Sequence, residues 1–385
     1  MIQFLVSNFL SFGKEQRLSM VAAKVAPPEH EDHVSNGRIP LLKSALILGD
    51  NGSGKSALVK ALLVLKDAVV RGDWNWIPTL LPSSNKNMTM VLSVSCEGRN
   101  YEFGLRTRKD QVLEEWLARI NDVKGRSEPI YDRRSESGKT RLRMRGRTTT
   151  RKATSDLVMG LGHAAWRAAE ADVFQDALER RTEMKDIRRV SEWIKDDLLI
   201  MDEKEWARED FIDHIQSLDD GLSLPPRDQP GPRKASAFLH HCRLEGKRDR
   251  TIVFDDFDLH LHPLTIRRVL DEFRQGKGQL IMTAHQTSLM DYFRKDEIWF
   301  MDRDNEKHES ILTSLHEYKV RPDMDLMRGY LSGRFGGVPF LRQEKRDDQK
   351  RGRKSRSGLA QADERPRLEI EKNMGEWPRL ALRRQ

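Results

Sequence analysis

Residues Leu41 to Leu62 read LLKSALILGDNGSGKSALVKAL. The apolar run after Lys43 has no polar interruption, so Lys43–Gly49 is predicted as a strand buried on both faces. From Ser56 to Val70, Leu58, Leu62, Leu65 and Val69 recur at helical spacing, and a helix is expected there. Between the two, Gly49, Asp50, Asn51, Gly52, Ser53, Gly54, Lys55 and Ser56 match GxxxxGK[ST] at every defined position, in the strand-to-helix context that the motif needs. The glycines let the chain turn so that successive N–H groups face a phosphate, and the helix N-terminus adds its partial positive charge. Lys55 is expected to reach the β and γ phosphates, and the Ser56 hydroxyl to ligate magnesium.

Working outward, residues 1–12 read as a strand with Ile2, Phe4 and Val6 on one face. Between Met90 and Ile120 the alternating patterns suggest a small antiparallel sheet. Residues 162–205 read as helical, Leu222–Arg233 as a proline-rich loop, and KASAFLHHCRLEG as a short helix leading into the strand TIVF. After Pro263 a helix to about Arg274 gives way to strands at QLIMTAH, DEIWFMD and SILTSLHEY. Strands alternating with helices in this way favour a parallel or mixed sheet covered by helices. No internal repeat is visible.

The segment Thr251 to Pro263, TIVFDDFDLHLHP, crowds carboxylates and histidines behind a hydrophobic run. A nucleotide-hydrolysing site needs an acid on a neighbouring strand end to hold the magnesium shell, and a group that positions water. Asp255 is the candidate for the first role and Asp256 for the second. Two other readings stand beside this one: a hard-ligand metal cluster of a nuclease, and His260 and His262 as caps of the helix that starts near Pro263.

The chain has 385 residues, enough for one large or two moderate domains, with 68 basic against 60 acidic side chains. Its two cysteines, Cys96 and Cys242, form no CxxC pair, which argues against a thiolate zinc site or a disulfide scaffold and for a reducing, cytoplasmic setting. No apolar run reaches the ~20 residues that span a bilayer, and no membrane association is expected.

The opening FLVSNFLSFGKEQRLSMVAAK, the phosphate loop, VFDDFDLHLHP, the strand end MTAH, the strand DEIWFM and the closing LMRGYLSGRFGGVPFL together resemble ABC-type AAA ATPases of the RecF, SMC and overcoming-lysogenization-defect group. The likeness is greatest to the single-chain ATPases of abortive infection and other phage defences, and covers roughly residues 1–341. It implies an α/β P-loop NTPase head of ABC type, a mixed sheet flanked by helices, with ATP and magnesium as ligands. Residues 1–105 and 216–341 would form the two parts of the head, 106–215 an inserted helical/β lobe, and 342–385 a basic tail. It also implies that His285 contacts the γ-phosphate, and that two heads sandwich the nucleotide as a homodimer or higher homo-oligomer. Gly231 would be the signature-loop glycine offered to the other protomer, although Pro230 replaces the serine usual before it. At Asp256 the family usually has glutamate, one methylene longer. No Q-loop glutamine can be placed.

Residues 133–152 carry nine basic side chains and one acid. As one strand, TRLRMRGRTT would put Arg141, Arg143, Arg145 and Arg147 on one face at ~6.5 Å intervals, able to track a nucleic-acid backbone; a solvated hairpin paired with acids is the plainer reading. The tail has fourteen basic and eight acidic residues, suited to solubility or to docking a partner. By resemblance the chain is expected to be the ATPase of an antiviral defence system that controls a separate, nuclease-like effector. A nucleotide-gated scaffold with little turnover and a RecF- or SMC-like repair ATPase are the alternatives. Pairs of the form R-x(4 to 6)-H, Arg208 with His214, Arg233 with His240 and Arg303 with His308, occur about as often as chance allows, and no nuclease is predicted in the chain itself.

Overall fold

Two sheets share one helix between them in the computed structural model of the chain. It describes residues 1–24, 30–72, 74, 86–109, 111–121, 126–144, 147–152, 157–159, 182–202, 208–219, 222–258, 261–304, 306–318, 320 and 324–336. The readings of residues 162–181, His260, Arg145 and the tail lie outside these.

The first sheet is antiparallel throughout. It is built from β1 (Gln3–Ser7), β2 (Gln16–Ser19), β4 (Met88–Cys96), β5 (Arg99–Arg108), β6 (Gln111–Asn121), β7 (Arg126–Glu136), β8 (Lys139–Met144) and β9 (Arg147–Lys152), in the order β2-β1-β4-β5-β6-β7-β8-β9. Residues 106–152, read from sequence as the start of an inserted lobe, thus continue the same sheet as β4 and β5.

The second sheet takes β3 (Ser44–Gly49), β10 (Leu198–Asp202), β11 (Thr251–Asp255), β12 (Gln279–Ala284), β13 (Ile298–Arg303) and β14 (Ser310–Ser314), in the order β10-β11-β12-β3-β13-β14. All its neighbours run parallel except β14, which is antiparallel to β13. Leu198–Asp202 corrects the expectation of a helix there. The run LLIM is apolar enough for either state, and pairing with β11 supplies hydrogen bonds that a helix end would lack.

The phosphate loop's helix, α1 (Lys55–Arg71), buries residues around most of its circumference: Leu58, Leu62 and Leu65, but also Val59, Ala61, Val64 and Ala68. A helix apolar nearly all round needs cover on both sides. It packs with Ala45 and Ile47 of β3, Val253 of β11 and the inner residues of the antiparallel sheet in one core. The alternate β3 residues, Leu46 and Leu48, face a second core with α4 (Pro230–Gly246) and α5 (Pro263–Gln275). Each large side chain so buried contributes about 1.5–3 kcal/mol. α2 (Thr182–Glu192), α3 (Glu209–Ser217) and α6 (Leu326–Leu331) complete the α-helices among the described residues.

Two further expectations are corrected. Pro230-Gly231-Pro232-Arg233 belong to the first turn of α4 and not to a loop, because proline's fixed φ suits a helix start and its missing N–H would be unpaired there anyway. The arginine run is not one strand but follows the alternative hairpin reading: Arg141 and Arg143 lie on β8, and Arg147 opens β9, antiparallel to β8, opposite Met144. On β8, Leu142 and Met144 are buried while Arg141 and Arg143 are exposed.

Candidate functional site

Parallel strands bring their carboxyl ends to one edge, and open α/β sheets bind ligands in the crevice outside that edge. Here β3 ends at Gly49, β11 at Asp255 and β12 just before His285, with β11, β12 and β3 adjacent. Residues far apart in sequence therefore meet as a consequence of strand order.

The loop from Gly49 to Gly54 leaves no room for side chains at two points. A Cβ on Gly49 would collide with the Met301 carbonyl of the neighbouring β13, whose Met301 pairs with Gly49. One on Gly54 would collide with Ser310 and Ser11, and Gly54 also has a φ of 116°, a region that L side chains rarely enter. Gly52 likewise has positive φ but open space around it. Asp50 accepts from the Asn51 amide at 2.7 Å, which shapes the loop's first turn. The loop is anchored by Ser310, whose hydroxyl donates to the Ser53 carbonyl at 2.5 Å and whose amide donates to the Ser11 carbonyl at 2.8 Å. The hydroxyls of Ser11 and Ser53 are buried, with no partner for either.

Lys55 is 5% exposed, and its ammonium donates to the carbonyls of Gly49 (2.9 Å) and Asp50 (3.2 Å). Burial pushes it below the ordinary lysine range, while the negative charges of Asp256, Asp255, Asp258 and Asp50 oppose that shift. Four carboxylates acting on one lysine make the site electrostatically compact. Ser56 follows in the first turn of α1.

Asp255 and Asp256 are organised by Thr283, a residue that sequence reasoning missed. Its hydroxyl donates to Asp255 Oδ1 at 2.7 Å and accepts from the Asp256 amide at 2.8 Å, and its carbonyl accepts from the Phe257 amide. Asp256 has a φ of 52°, a left-handed conformation that aspartate tolerates better than most residues. This turn carries the Asp256 carboxylate to 3.5 Å from His285 Nε2. Burial, then the charge of Asp255, raises the Asp256 carboxyl above the usual range, with His285 and Lys55 pulling the other way.

Asp258 and His262, two further members of DDFDLHLHP, have structural partners. Asp258 is 3% exposed, and its Oδ2 accepts from the amides of His285 (2.8 Å) and Gln286 (2.6 Å), which fixes the end of β12. His262 caps α5, its Nδ1 accepting from the Leu264 amide. These roles use Oδ2 of Asp258 and Nδ1 of His262, while Oδ1 of Asp258 is buried without a partner.

Lys55, Asp255, Asp256 and His285 are thus brought together, beside Asp50 and Ser56. Gly231 is not among them: among the described residues, nothing beyond its chain neighbours and the backbone of its own helix lies within 4 Å of where its Cβ would stand. Thr283, Asp258, Ser11 and Ser310 carried only weak sequence signals, a polar residue at a strand end or in a turn. A tight glycine cradle, a buried ammonium, a buried unpartnered hydroxyl at Ser53 and a held pair of carboxylates fit a nucleotide's phosphates with magnesium.

The family described as "AAA domain, putative AbiEii toxin, Type IV TA system" matches residues 44–169 and 188–291, more than half of the chain, and the chain belongs to it. No curated protein matches. Among solved structures, the SMC head domain from Thermotoga maritima is similar at 15% identity and a TM-score of 0.39, covering 81% of this chain and 98% of its own. An SMC head bound to the C-terminal winged-helix domain of ScpA is similar at 14% identity and a TM-score of 0.42, covering 81% and 96%. No described helix is long and apolar enough to cross a membrane.

Proposed function

We propose that this member of the AAA domain family binds and hydrolyses ATP with magnesium, and that the nucleotide switches it between two states. The observation that carries this is the convergence of Lys55, Asp255, Asp256 and His285 at one sheet edge, beside a loop whose Gly49 and Gly54 are packed too closely against Met301, Ser310 and Ser11 to carry side chains. The amides of Gly49 to Ser56 would cradle the phosphates, and Lys55 would exchange its two carbonyl partners for phosphate oxygens. Ser56 and Asp255 are the side chains that would hold magnesium, with Thr283 orienting the carboxylate of Asp255. Magnesium, when bound, neutralises charge on the phosphate oxygens.

Asp256 would position and deprotonate the attacking water. Its raised carboxyl suits that task better than an ordinary aspartate. His285, 3.5 Å away, would fix the carboxylate's direction and face the terminal phosphate.

Gly231, exposed in the first turn of α4, would be the glycine offered to a second protomer, so the working unit would be a homodimer or higher homo-oligomer closed on ATP. A ligand that binds the closed state better shifts the population toward it. By resemblance, and by the toxin–antitoxin description of the family, that switch would serve antiviral defence in the cytoplasm, controlling a separate nuclease-like effector. The division into a head (1–105 and 216–341), an inserted lobe (106–215) and a tail (342–385) is retained as part of this proposal. The basic hairpin, with Arg141 and Arg143 exposed on β8 and Lys139 paired with Lys152, is the surface on which nucleic acid would be met.

Phosphate release by the purified protein, set beside Lys55→Ala and Asp256→Asn, tests the proposal. Release that both substitutions abolish is expected. Tight ATP binding without Lys55-dependent release would overturn the enzyme and leave a nucleotide-gated scaffold, the reading favoured by the short Asp256 side chain and by Pro230.

A further inference from the structure

A second cluster of ligating side chains lies away from the phosphate loop, at the opposite end of β3. The sequence His30-Glu31-Asp32-His33 forms a single 3-10 turn, and His30, Asp32 and His33 each offer one ligand atom, all within 4.8 Å of one another. We propose that these three residues bind a divalent transition-metal ion of the zinc type, independently of any magnesium at the nucleotide.

The donor set is suitable: two imidazoles and a carboxylate are what zinc takes in three-ligand sites, with water completing the tetrahedron. The imidazoles of His30 and His33 are stacked with centroids 4.6 Å apart, so the exposed His30 ring must turn out of the stack for its in-plane lone pair to meet a cation shared with His33. Zinc bonds of ~2.0–2.1 Å in a tetrahedron put ligand atoms about 3.3 Å apart, so donors within 4.8 Å of one another must close by at most about 1.5 Å. His30 and Asp32 are exposed and free to make that adjustment, while His33 is buried.

What separates this from a chance surface cluster is the group behind His33. Its Nδ1 lies 2.7 Å from Oε2 of Glu297, a carboxylate with no solvent exposure. Glu297 is held in turn by the Ser44 hydroxyl on Oε1 at 2.6 Å and by the Arg294 amide on Oε2 at 2.7 Å. A carboxylate that accepts from one imidazole nitrogen fixes the tautomer, directs the other nitrogen's lone pair outward and raises its basicity, as in metal sites where histidine is the ligand. Nε2 of His33 is therefore the nitrogen left for the cation.

Two cations are near enough to sense Asp32, Lys43 and Arg274. Neither holds its carboxylate: Lys43 donates to the Arg274 carbonyl, and Arg274 donates to the Tyr292 carbonyl. The metal would pin the segment between β2 and β3, where the Lys43 amide donates to the His33 carbonyl, to the start of β13.

The test uses the full chain stripped with a chelator and titrated with zinc chloride by calorimetry, and with cobalt(II) by visible absorption. One equivalent is expected to bind with a rise in melting temperature, and the affinity to fall by about tenfold or more in His30→Ala and in Asp32→Asn. Both positions are exposed, so these variants keep the fold even where His33→Ala does not. Cobalt bands characteristic of tetrahedral coordination should vanish in the same variants. Zinc affinity unchanged in the double variant, or no binding by the folded protein tighter than millimolar, would overturn the site.

Discussion

Replacing Thr283 by valine keeps its volume and β-branching and removes one hydroxyl. That hydroxyl serves two partners at once, donating to Asp255 Oδ1 at 2.7 Å and accepting from the Asp256 amide at 2.8 Å. Thr283 has no solvent exposure, so no water can take the place of its oxygen without a cavity. A buried amide left without an acceptor costs about 1–3 kcal/mol, and losing a hydrogen bond to a charged group costs about 1.5–3 kcal/mol when both ends are dry. Both carboxylates are only half-buried and recover part of this from solvent, so about 2–3 kcal/mol in total is expected. Urea unfolding should show this as a lower midpoint at unchanged slope. Phosphate release should fall about ten- to a hundredfold, because the Asp255 carboxylate loses its orienting donor. Thr283→Ser, which restores the hydroxyl, should recover most of the release. A valine variant within about 0.5 kcal/mol of the parent with undiminished release would refute the bridging role.

Two further outcomes follow from the same structure. Gly54→Ala places a methyl group against Ser310 and Ser11 at a φ of 116°, and should cost about 2–4 kcal/mol from strain and overpacking together with nucleotide affinity, read by denaturation and by fluorescent-ATP titration. His241 is held by burial at about 4, against its ordinary 6.5, with Glu245 partly opposing the shift. Between those values the unfolded chain takes up a proton that the folded chain refuses. Stability should therefore fall as pH drops from 6.5 toward 4, by up to about 3 kcal/mol, and melts of His241→Leu should show a flatter profile over that window.

The strand, loop and helix around Gly49 to Ser56 were legible because each is written locally: an apolar run, a spaced set of glycines, a leucine stripe. Asp255 and His285 were legible for a related reason, since each closes an apolar run that could be little but a buried strand. Where local patterns were ambiguous the reading failed. LLIM at Leu198 could serve helix or strand, and only pairing with β11 decided it. PGPR at Pro230 could break a chain or start a helix. Arg141 to Arg147 alternate like one strand, but they are divided between the antiparallel strands β8 and β9.

By itself, then, the sequence determined that a phosphate-binding loop stands between a buried strand and a helix, because glycine spacing and apolar period act over a few residues. The tertiary structure decided the rest. Strand order brought Thr283 between two aspartates, a β13 carbonyl excluded any side chain at Gly49, and Glu297 came to stand behind His33 across 264 positions of chain. Such contacts depend on which strands become neighbours, and that is settled by how the whole chain buries its apolar faces.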